Sequence, residues 1–293
     1  MRLLAFTLLA ALFAGPAQAG DAILKPFILA QRGPGEVAAA VAEARAKVEA
    51  AGFQVVGSYE PYPGATVLAI TSDEQKAAAA RTPTGGYGAA LRVSVTKVGD
   101  EVQVAYTSPV YMAHAYRMKA DLAPVAGKLA AALGRLEEFG PKDGKTAKEL
   151  ENYHYMFGMP YFDDPSEIAS FGSQEQAVRS VERGLAAGRG GTRKVYRIDL
   201  PGDVAVFGVA LSVGCGGDAF IMKEIDFKPL RSTGHLPYEV LVAGGEIKAL
   251  HAKFRIAENF PDLPMMGANS FMNIRCAPDA IEDALKRMAG TKR

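Results

Sequence analysis

The chain of 293 residues has few cysteines and almost no net charge. Two cysteines are too few for a disulfide-rich scaffold or for a multi-thiolate metal cluster. The 33 basic and 32 acidic residues leave a formal net charge of +1, and the basic residue Arg2 lies in a segment that we expect to be removed. A nearly neutral mature chain argues against generic nucleic-acid binding, which needs a basic surface. We therefore expect no nucleic-acid partner.

Several catalytic and metal-binding signatures are also missing from the sequence. The four histidines form no H-E-x-x-H pattern, no C-x-x-C-H haem attachment motif is present, and no glycine-rich loop has the phosphate-loop spacing. Residues 210–214 resemble a nucleophile elbow but begin with Ala and lie inside a strand pattern. The sequence therefore favours a binding or accessory protein over an enzyme, and it assigns no catalytic residue.

Long hydrophobic runs are confined to the N-terminus. Arg2 supplies a positive charge, residues 3–14 form a largely apolar run of twelve, and Ala17-Gln18-Ala19 has the pattern of a cleavage site. Such a run is too short to span a bilayer, and no other stretch approaches ~18 apolar residues. We predict a signal peptide over residues 1–19, cleavage after Ala19, no membrane span and a periplasmic location. The alternative is a buried N-terminal helix.

The two cysteines are candidates for a disulfide in that oxidising compartment. A bridge between Cys215 and Cys276 would close a loop of roughly 60 residues and stabilise the fold by about 4 kcal/mol on the chain-entropy account. The alternative is two buried free thiols.

The rest of the chain shows a pattern of strands and helices that occurs twice. In the first half a helix is predicted over residues 35–51 and a hairpin over residues 91–106. In the second half Ser173 and Gln176 form a capping box before a helix, and Gly244-Gly245 marks a hairpin turn. We predict an α+β fold of two similar β-α-β4-α units, each a curved antiparallel sheet packed against helices. The alternative is one large α+β domain.

The predicted boundaries place the first unit at residues 20–138 and the second at residues 173–293. A packed connection rich in aromatic and Met residues, 139–172, lies between them, with a short strand near its end at residues 168–171. Strands over residues 247–255 and 271–274 are expected to precede the last helix.

Two segments of the first half resemble the domain of unknown function number 302 family. They are Gly52-Phe53-Gln54-Val55, where a helix leads into a strand, and Thr107-Ser108-Pro109-Val110-Tyr111, after the hairpin. The resemblance covers about residues 35–120, and residues 235–240 resemble the family more loosely, with an insertion at 257–270. It implies a strand-helix-four-strand-helix fold that buries a crevice, and it carries no catalytic residue to this chain.

The richest group of candidate ligand contacts lies between the two halves. Residues 153–165 contain five aromatics, two Met and one His, whereas a flexible linker would be polar. The segment is therefore expected to be packed, either as a plug between the units or as a ligand-contacting wall. The candidate wall residues are Tyr153, His154, Tyr155, Met156, Phe157, Met159, Tyr161 and Phe162. A third interpretation uses His154, Met156 and Met159 as soft ligands for copper or as axial ligands for haem.

A second group of candidates is spread along the chain. Polar ligand contacts are predicted at Tyr111, His114, Tyr116, His235 and His251, and each of these histidines also fits a structural role. Met265, Met266 and Met272 form a second Met-rich stretch that suits a core, a pocket lining or a metal site. The cofactor is thus left unknown, with haem and copper as options.

These observations predict a soluble periplasmic protein that binds a small, partly apolar ligand, or a redox-accessory protein such as a haem or copper chaperone. One alternative is a hydrolase or isomerase with a His/Tyr acid–base site at the junction of the units. Such a site needs His near a carboxylate or hydroxyl in an open cleft. A second alternative is an interaction scaffold, which would expose an apolar patch instead of a pocket.

Overall fold

The computed structural model describes residues 22–291, so the predicted signal peptide and its cleavage site lie outside the described residues. Within this range the chain forms two antiparallel sheets, of six and five strands, which pack against α-helices. The fold class is therefore α+β, as the order of predicted elements indicates. No helix between residues 22 and 291 is both long enough and apolar enough to cross a membrane.

The first sheet comes from the N-terminal half of the chain. Its strands are β1 (Phe27–Pro34), β2 (Gln54–Tyr62), β3 (Ala65–Thr71), β4 (Leu91–Val98), β5 (Glu101–Thr107) and β6 (Glu137–Phe139). They lie in the order β2-β3-β4-β5-β1-β6, and every neighbouring pair is antiparallel. The β4–β5 hairpin confirms the alternating segment at residues 91–106, and it turns at Gly99, whose φ of 60° favours glycine.

The second sheet comes from the C-terminal half. Its strands are β7 (Ser166–Ser170), β8 (Thr192–Leu200), β9 (Val204–Leu211), β10 (Tyr238–Ala243) and β11 (Glu246–Ala249). Their order is β7-β11-β10-β9-β8, again antiparallel throughout. The short strand expected near residues 168–171 is β7, one or two residues earlier in the chain.

The α-helices of the described residues include the one predicted over residues 35–51 and the one predicted after Ser173. They are α1 (Val37–Ala50), α2 (Asp73–Ala79), α3 (Pro109–Ala115), α4 (Ala123–Leu133), α5 (Ala147–Glu151), α6 (Gln174–Ala186), α7 (Asp218–Ile225), α8 (Ala252–Asn259) and α9 (Ala277–Ala289). The side chain of Ser173 accepts a hydrogen bond from the backbone N–H of Gln176 (3.3 Å) and caps α6. Gly52 and Gly290, with φ of 86° and 81°, follow the ends of α1 and α9.

The two sheets share one topology. With β6 and α5 set aside, strands β1–β5 correspond in chain order to β7–β11, and in both sheets the first strand lies beside the fifth. The packing is reciprocal as well, because α7 contacts β2 while α2, the corresponding helix of the first half, contacts β8. Two copies related by a twofold axis would make such paired contacts. The duplication itself stays a prediction.

Strand β4 is buried on both of its faces. Val93 and Val95 pack in the core that α1 and α4 cover. On the opposite face Arg92, Ser94 and Thr96 are also buried, because the second half of the chain covers that side of the sheet. Buried polar side chains need hydrogen-bond partners. The polar positions of this alternating strand are therefore where the two halves meet.

One predicted strand is absent, and another is shorter than predicted. Residues 271–274 form a short 3-10 turn, in which the side chain of Ser270 and that of Asn273 cap each other's backbone N–H groups. The strand expected over residues 247–255 ends at Ala249, because Nδ1 of His251 accepts a hydrogen bond from Lys253 N–H (3.2 Å) and begins α8. In both places a local side-chain cap competes with the strand pattern.

Cys215 and Cys276 form a disulfide, with their Cα atoms 6.0 Å apart. The bridge ties the 3-10 turn Gly214–Gly216, which precedes α7, to the residue that caps α9. Because the two cysteines are 61 residues apart, the chain-entropy account gives a stabilisation of about 4 kcal/mol.

Candidate functional site

The aromatic segment between the two halves is packed at both ends and exposed in its middle. Tyr153 is buried and donates a hydrogen bond to the carbonyl of Ala257 (3.0 Å), and buried Phe162 stacks on Tyr116 with ring centres 5.6 Å apart. Phe157 is fully exposed. Met156 and Tyr161 are 43% and 38% exposed, and the His154 ring lies 4.2 Å from the ring of Tyr161.

Tyr155 and Met159 line a narrow apolar pocket beside α8. The other lining residues are Lys253, Ile256, Ala257, Phe260, Leu263, Met265 and Phe271. The hydroxyl of Tyr155 donates to the carbonyl of Leu263 (2.6 Å) and links the two loops that form the pocket. Its free space of about 20 Å³ has room for one water. An organic ligand would need the two loops to move apart.

Tyr111, Tyr116 and His235 lie inside the molecule, in a polar network between the halves. Tyr111 donates to the carbonyl of Glu258 (2.6 Å), and Tyr116 donates to Oε1 of the same residue (2.9 Å). Nη1 of Arg255 lies 2.9 Å from Nδ1 of His235. The pKa of His235 lies well below its usual value, mainly because the ring is buried and secondly because Arg255 is positively charged. These three candidates are enclosed by the fold, so a ligand would need it to open before reaching them.

The centre of this network is an ion pair that joins the two halves. Arg92 from β4 pairs with Glu239 from β10, and Nε of Arg255 lies 3.0 Å from the second carboxylate oxygen of Glu239. All three side chains are buried. Burial also raises the pKa of Glu258 to about 7. Strands β4 and β10 occupy the same place in the topologies of the two sheets. Arg92 is the second residue of β4, and Glu239 is the second residue of β10.

The other two histidines have local partners. Nδ1 of His114 lies 2.9 Å from a carboxylate oxygen of Glu151 at the surface, and His251 caps α8. In the part of the chain that the structure describes, no three His, Cys, Asp or Glu side chains are grouped so that they could hold a metal ion.

A larger opening lies where β2 and β4 of the first sheet face α7 of the second half. We call it the junction cleft, and its volume is about 590 Å³, within the range of small-molecule sites. Its lining residues are Tyr62, Pro63, Thr96, Lys97, Ala219, Met222, Lys223, Asp226, Phe227 and Arg231. Both halves contribute to it.

A chain of hydroxyl groups crosses the wall of the junction cleft. The hydroxyl of Tyr62 lies 2.7 Å from that of Thr233, which lies 2.8 Å from that of Thr96. The pKa of Tyr62 lies above its usual value, mainly because the hydroxyl is buried and secondly because Asp226 is negatively charged. Tyr62 is therefore a neutral hydroxyl near a carboxyl group at neutral pH.

Asp226 is the least satisfied group of the cleft. Its Oδ1 accepts a hydrogen bond from the backbone N–H of Ser232 (2.9 Å), while its Oδ2 is buried and has no partner among the described residues. Burial raises the pKa of Asp226 to about 7, against the opposing effects of that hydrogen bond and of Arg231. A buried acceptor without a donor costs free energy. A carboxyl with a displaced pKa in a cleft is also a recognised feature of functional sites.

A second cleft, of about 580 Å³, lies on the other side of the first turn of α7. Asp218 lines it, and its Oδ2 accepts hydrogen bonds from the hydroxyl of Tyr59 (3.1 Å) and from Leu211 N–H (3.2 Å). Burial raises the pKa of Asp218 to about 7 as well. Because this carboxyl group has two donors, it lacks the unpaired acceptor oxygen of Asp226.

Asp226 and Tyr62 were not among the residues that the sequence singled out. Asp226 follows α7 in a short loop, and Tyr62 ends a strand in a Tyr-Pro stretch, so neither belongs to a recognisable motif. The cleft exists only because the two halves pack together, and no spacing along the chain records that packing.

No protein-family model, curated protein or solved structure matches this chain. The resemblance to the domain of unknown function number 302 family therefore stays a prediction.

Proposed function

We propose that the protein binds a small, partly apolar molecule in the junction cleft. The observation that carries this proposal is the Oδ2 atom of Asp226, which is buried at the wall of a 590 Å³ cleft without a hydrogen-bond partner among the described residues. A small shift of the cleft wall would let a ligand reach this atom, and a hydrogen-bond donor on the ligand would then satisfy the carboxyl group. The same contact would fix the orientation of the ligand.

The other lining residues define the rest of the ligand. Met222 and Phe227 supply an apolar wall that suits a hydrocarbon or aromatic body. Lys97, Lys223 and Arg231 supply positive charge, which favours an acidic group at the outer end of the ligand. The class that fits is a small molecule with a hydroxyl or amide at one end, an apolar middle and an acidic group at the other end.

The proposed compartment is the periplasm. The predicted signal peptide motivates this location, and the Cys215–Cys276 disulfide is compatible with an oxidising compartment. A binding protein there would carry or buffer its ligand outside the cytoplasm. Redox-accessory activity, acid–base catalysis and a scaffold function are the competing proposals.

Three related probes test the ligand chemistry. 4-Hydroxyphenylacetate has both the donor and the acidic group, phenylacetate lacks the hydroxyl, and tyramine replaces the acid with an amine. Near pH 8, where Asp226 is ionised, we expect 4-hydroxyphenylacetate to bind most tightly. A hydrogen bond to a charged group contributes about 1.5–3 kcal/mol, so phenylacetate should bind roughly 10- to 100-fold more weakly. Amide chemical shifts, followed by NMR in a titration, would give the affinities and map the site.

Asp226→Asn is the matched variant for this test. It keeps the shape of the side chain and the acceptor for Ser232, but it replaces the open carboxylate oxygen with an amide NH₂. We expect it to abolish the preference for 4-hydroxyphenylacetate over phenylacetate, while Asp143→Asn, at an exposed position, leaves it intact. Equal binding of all three probes, or shifts confined to residues outside the cleft, would contradict the proposal. Turnover of a probe would favour the enzyme alternative.

A further inference from the structure

Five of the nine methionines within residues 22–291 lie in two loops that meet beside α8. They are Met156, Met159, Met265, Met266 and Met272. In the first loop the backbone N–H of Met159 donates to the carbonyl of Met156 (3.0 Å), so these two residues share one tight turn. In the second loop Met272 N–H donates to the carbonyl of Met265 (3.2 Å). Each loop therefore holds a pair of methionines close together.

One methionine of each pair lines the same pocket. Met159 from the first loop and Met265 from the second both line the narrow apolar pocket described above. The other member of each pair, Met156 or Met272, is 43% or 40% exposed, and Met266 is 78% exposed. Methionine usually fills gaps in a core. Two thioethers that line one pocket, each paired in its loop with a partly exposed methionine, call for a different explanation.

The two thioethers of the pocket are suitable ligands for a soft, monovalent cation. Thioether sulfur is a soft ligand that suits Cu(I), whereas hard cations require carboxylate or carbonyl oxygens. Neither a carboxylate nor an imidazole is among the lining residues, and Lys253 is the charged residue there. Both cysteines are held in the disulfide, so no thiolate competes for the metal.

We propose that this methionine pocket is a binding site for Cu(I), with Met159 and Met265 as its inner ligands and with Met156 and Met272, their partners in the two loops, as further thioethers. Tyr155, Phe260 and Phe271 line the same pocket and would shield a bound ion from water. The site shares no lining residue with the junction cleft. Its occupancy is therefore independent of the small-ligand proposal.

Isotope-labelled methionine methyl groups report directly on sulfur coordination. Ag(I) serves as a redox-inert probe for Cu(I), added to the oxidised, disulfide-bonded protein in chloride-free buffer. We expect the methyl resonances of the loop methionines to shift and to saturate at one equivalent of Ag(I). Met112 and Met288, which are buried elsewhere, should stay unchanged and serve as internal controls. Zn²⁺ should shift none of the loop methyl resonances, because zinc prefers nitrogen, oxygen and thiolate ligands.

The double substitution Met159→Leu with Met265→Leu tests the inner ligands while it keeps the apolar volume. Even changes to residues behind the ligands weaken metal sites by roughly 10- to 100-fold, so the loss of two direct ligands should weaken binding at least as much. Competition for Cu(I) against bicinchoninate, with ascorbate as a reductant that leaves the disulfide intact, measures the ratio of the two affinities. Met118→Leu, outside the pocket, is the control and should leave the affinity unchanged. Circular dichroism would verify that both variants are folded.

Several outcomes would overturn the copper proposal. They are unshifted loop methyl resonances, shifts limited to histidine side chains, and a double variant with the affinity of the parent protein. Loop methyl resonances that respond to an apolar probe such as benzene but not to Ag(I) would identify an organic-ligand pocket instead. Asp226→Asn should bind Ag(I) normally, so a failure of the cleft proposal and a failure of this one are distinguishable.

Discussion

At the scale of single residues, Asp226 and Asp218 place similar carboxyl groups in different surroundings. Burial raises the pKa of both to about 7. Asp218 is hydrogen-bonded to Tyr59 and Leu211 through one oxygen, while the corresponding oxygen of Asp226 has no donor among the described residues. The ionised form of Asp226 therefore destabilises the folded protein, and the proposed ligand would relieve that destabilisation.

The pH dependence of stability follows from the raised pKa of Asp226. The carboxyl has a usual pKa of 3.8 and a folded pKa of about 7, so folding favours its protonated form. The resulting penalty is absent below about pH 4, grows as the pH rises, and is complete above about pH 7. We expect Asp226→Asn to stabilise the protein by about 2 kcal/mol at pH 8, under a ceiling of roughly 4 kcal/mol. Urea unfolding at several pH values would measure this.

Urea unfolding at acidic pH and an exposed control variant provide the references for this prediction. The stabilisation by Asp226→Asn should nearly vanish near pH 3.5, where the carboxyl is protonated in the folded chain and mostly protonated in the unfolded chain. Asp143→Asn, at the exposed control position, should have little effect at either pH. Destabilisation by Asp226→Asn at pH 8 would mean that the ionised carboxylate has a partner, and this would count against the open acceptor.

The sequence predicted some single residues and could not predict others, for a physical reason. The cap at Ser173 and the disulfide depend on local geometry or on the small number of cysteines, and both are observed. Arg92 lies at a polar position of an alternating strand, which by itself indicates a solvent-facing side chain. It is buried because the second half of the chain covers it and supplies Glu239. Asp226 acquires its properties in the same way, from packing between distant segments.

At the scale of elements, the close crossing of α6 and α9 depends on one glycine. A Cβ atom at Gly184 would lie 1.8 Å from the carbonyl oxygen of Met288, which is backbone and cannot rotate away. Gly127, inside α4, has no atom within 4 Å of its added Cβ. The two helical glycines therefore differ in purpose, since one permits contact between helices and the other only lowers helix propensity.

Alanine substitutions at these glycines should have opposite effects. Gly184→Ala must push α6 and α9 apart, and we expect a loss of about 1–3 kcal/mol, as for other overpacked sites. Gly127→Ala should stabilise the protein by roughly 0.5–1 kcal/mol, because alanine is the better helix former. Chemical denaturation of the two variants and of the parent protein would show whether each substitution raises or lowers the free energy of unfolding. An unchanged stability for Gly184→Ala would mean that the crossing tolerates a wider spacing.

The elements themselves were largely predictable where the sequence pattern is long. The α1 helix and the β4–β5 hairpin match their predicted spans within two residues, because periodicity over eight or more residues carries a strong signal. The strand expected at residues 271–274 is a turn, since four residues give too little pattern to outweigh a side-chain cap. The short helices α3 and α5 were not anticipated, because each has seven residues or fewer.

At the scale of the whole molecule, the two halves form one structure despite their separate sheets. Tyr87, Tyr116, Tyr196 and Phe254 belong to one apolar cluster that draws on both halves. The ion pair between Arg92 and Glu239 lies in the same interface. Because neither half can bury these groups alone, we expect the chain to unfold in a single cooperative transition.

Glu239 provides the test of that cooperativity, because it is the carboxylate shared by two buried arginines. In Glu239→Gln the guanidinium groups of Arg92 and Arg255 would remain buried without their counter-charge, and removing one partner of a buried ion pair costs about 3–5 kcal/mol. Calorimetry should show one transition that moves to lower temperature as a whole. Glu101→Gln, at an exposed position on β5, should leave the transition where it is. Two separate transitions in Glu239→Gln, only one of them shifted, would mean instead that each half folds independently and that the junction cleft is a contact between two domains.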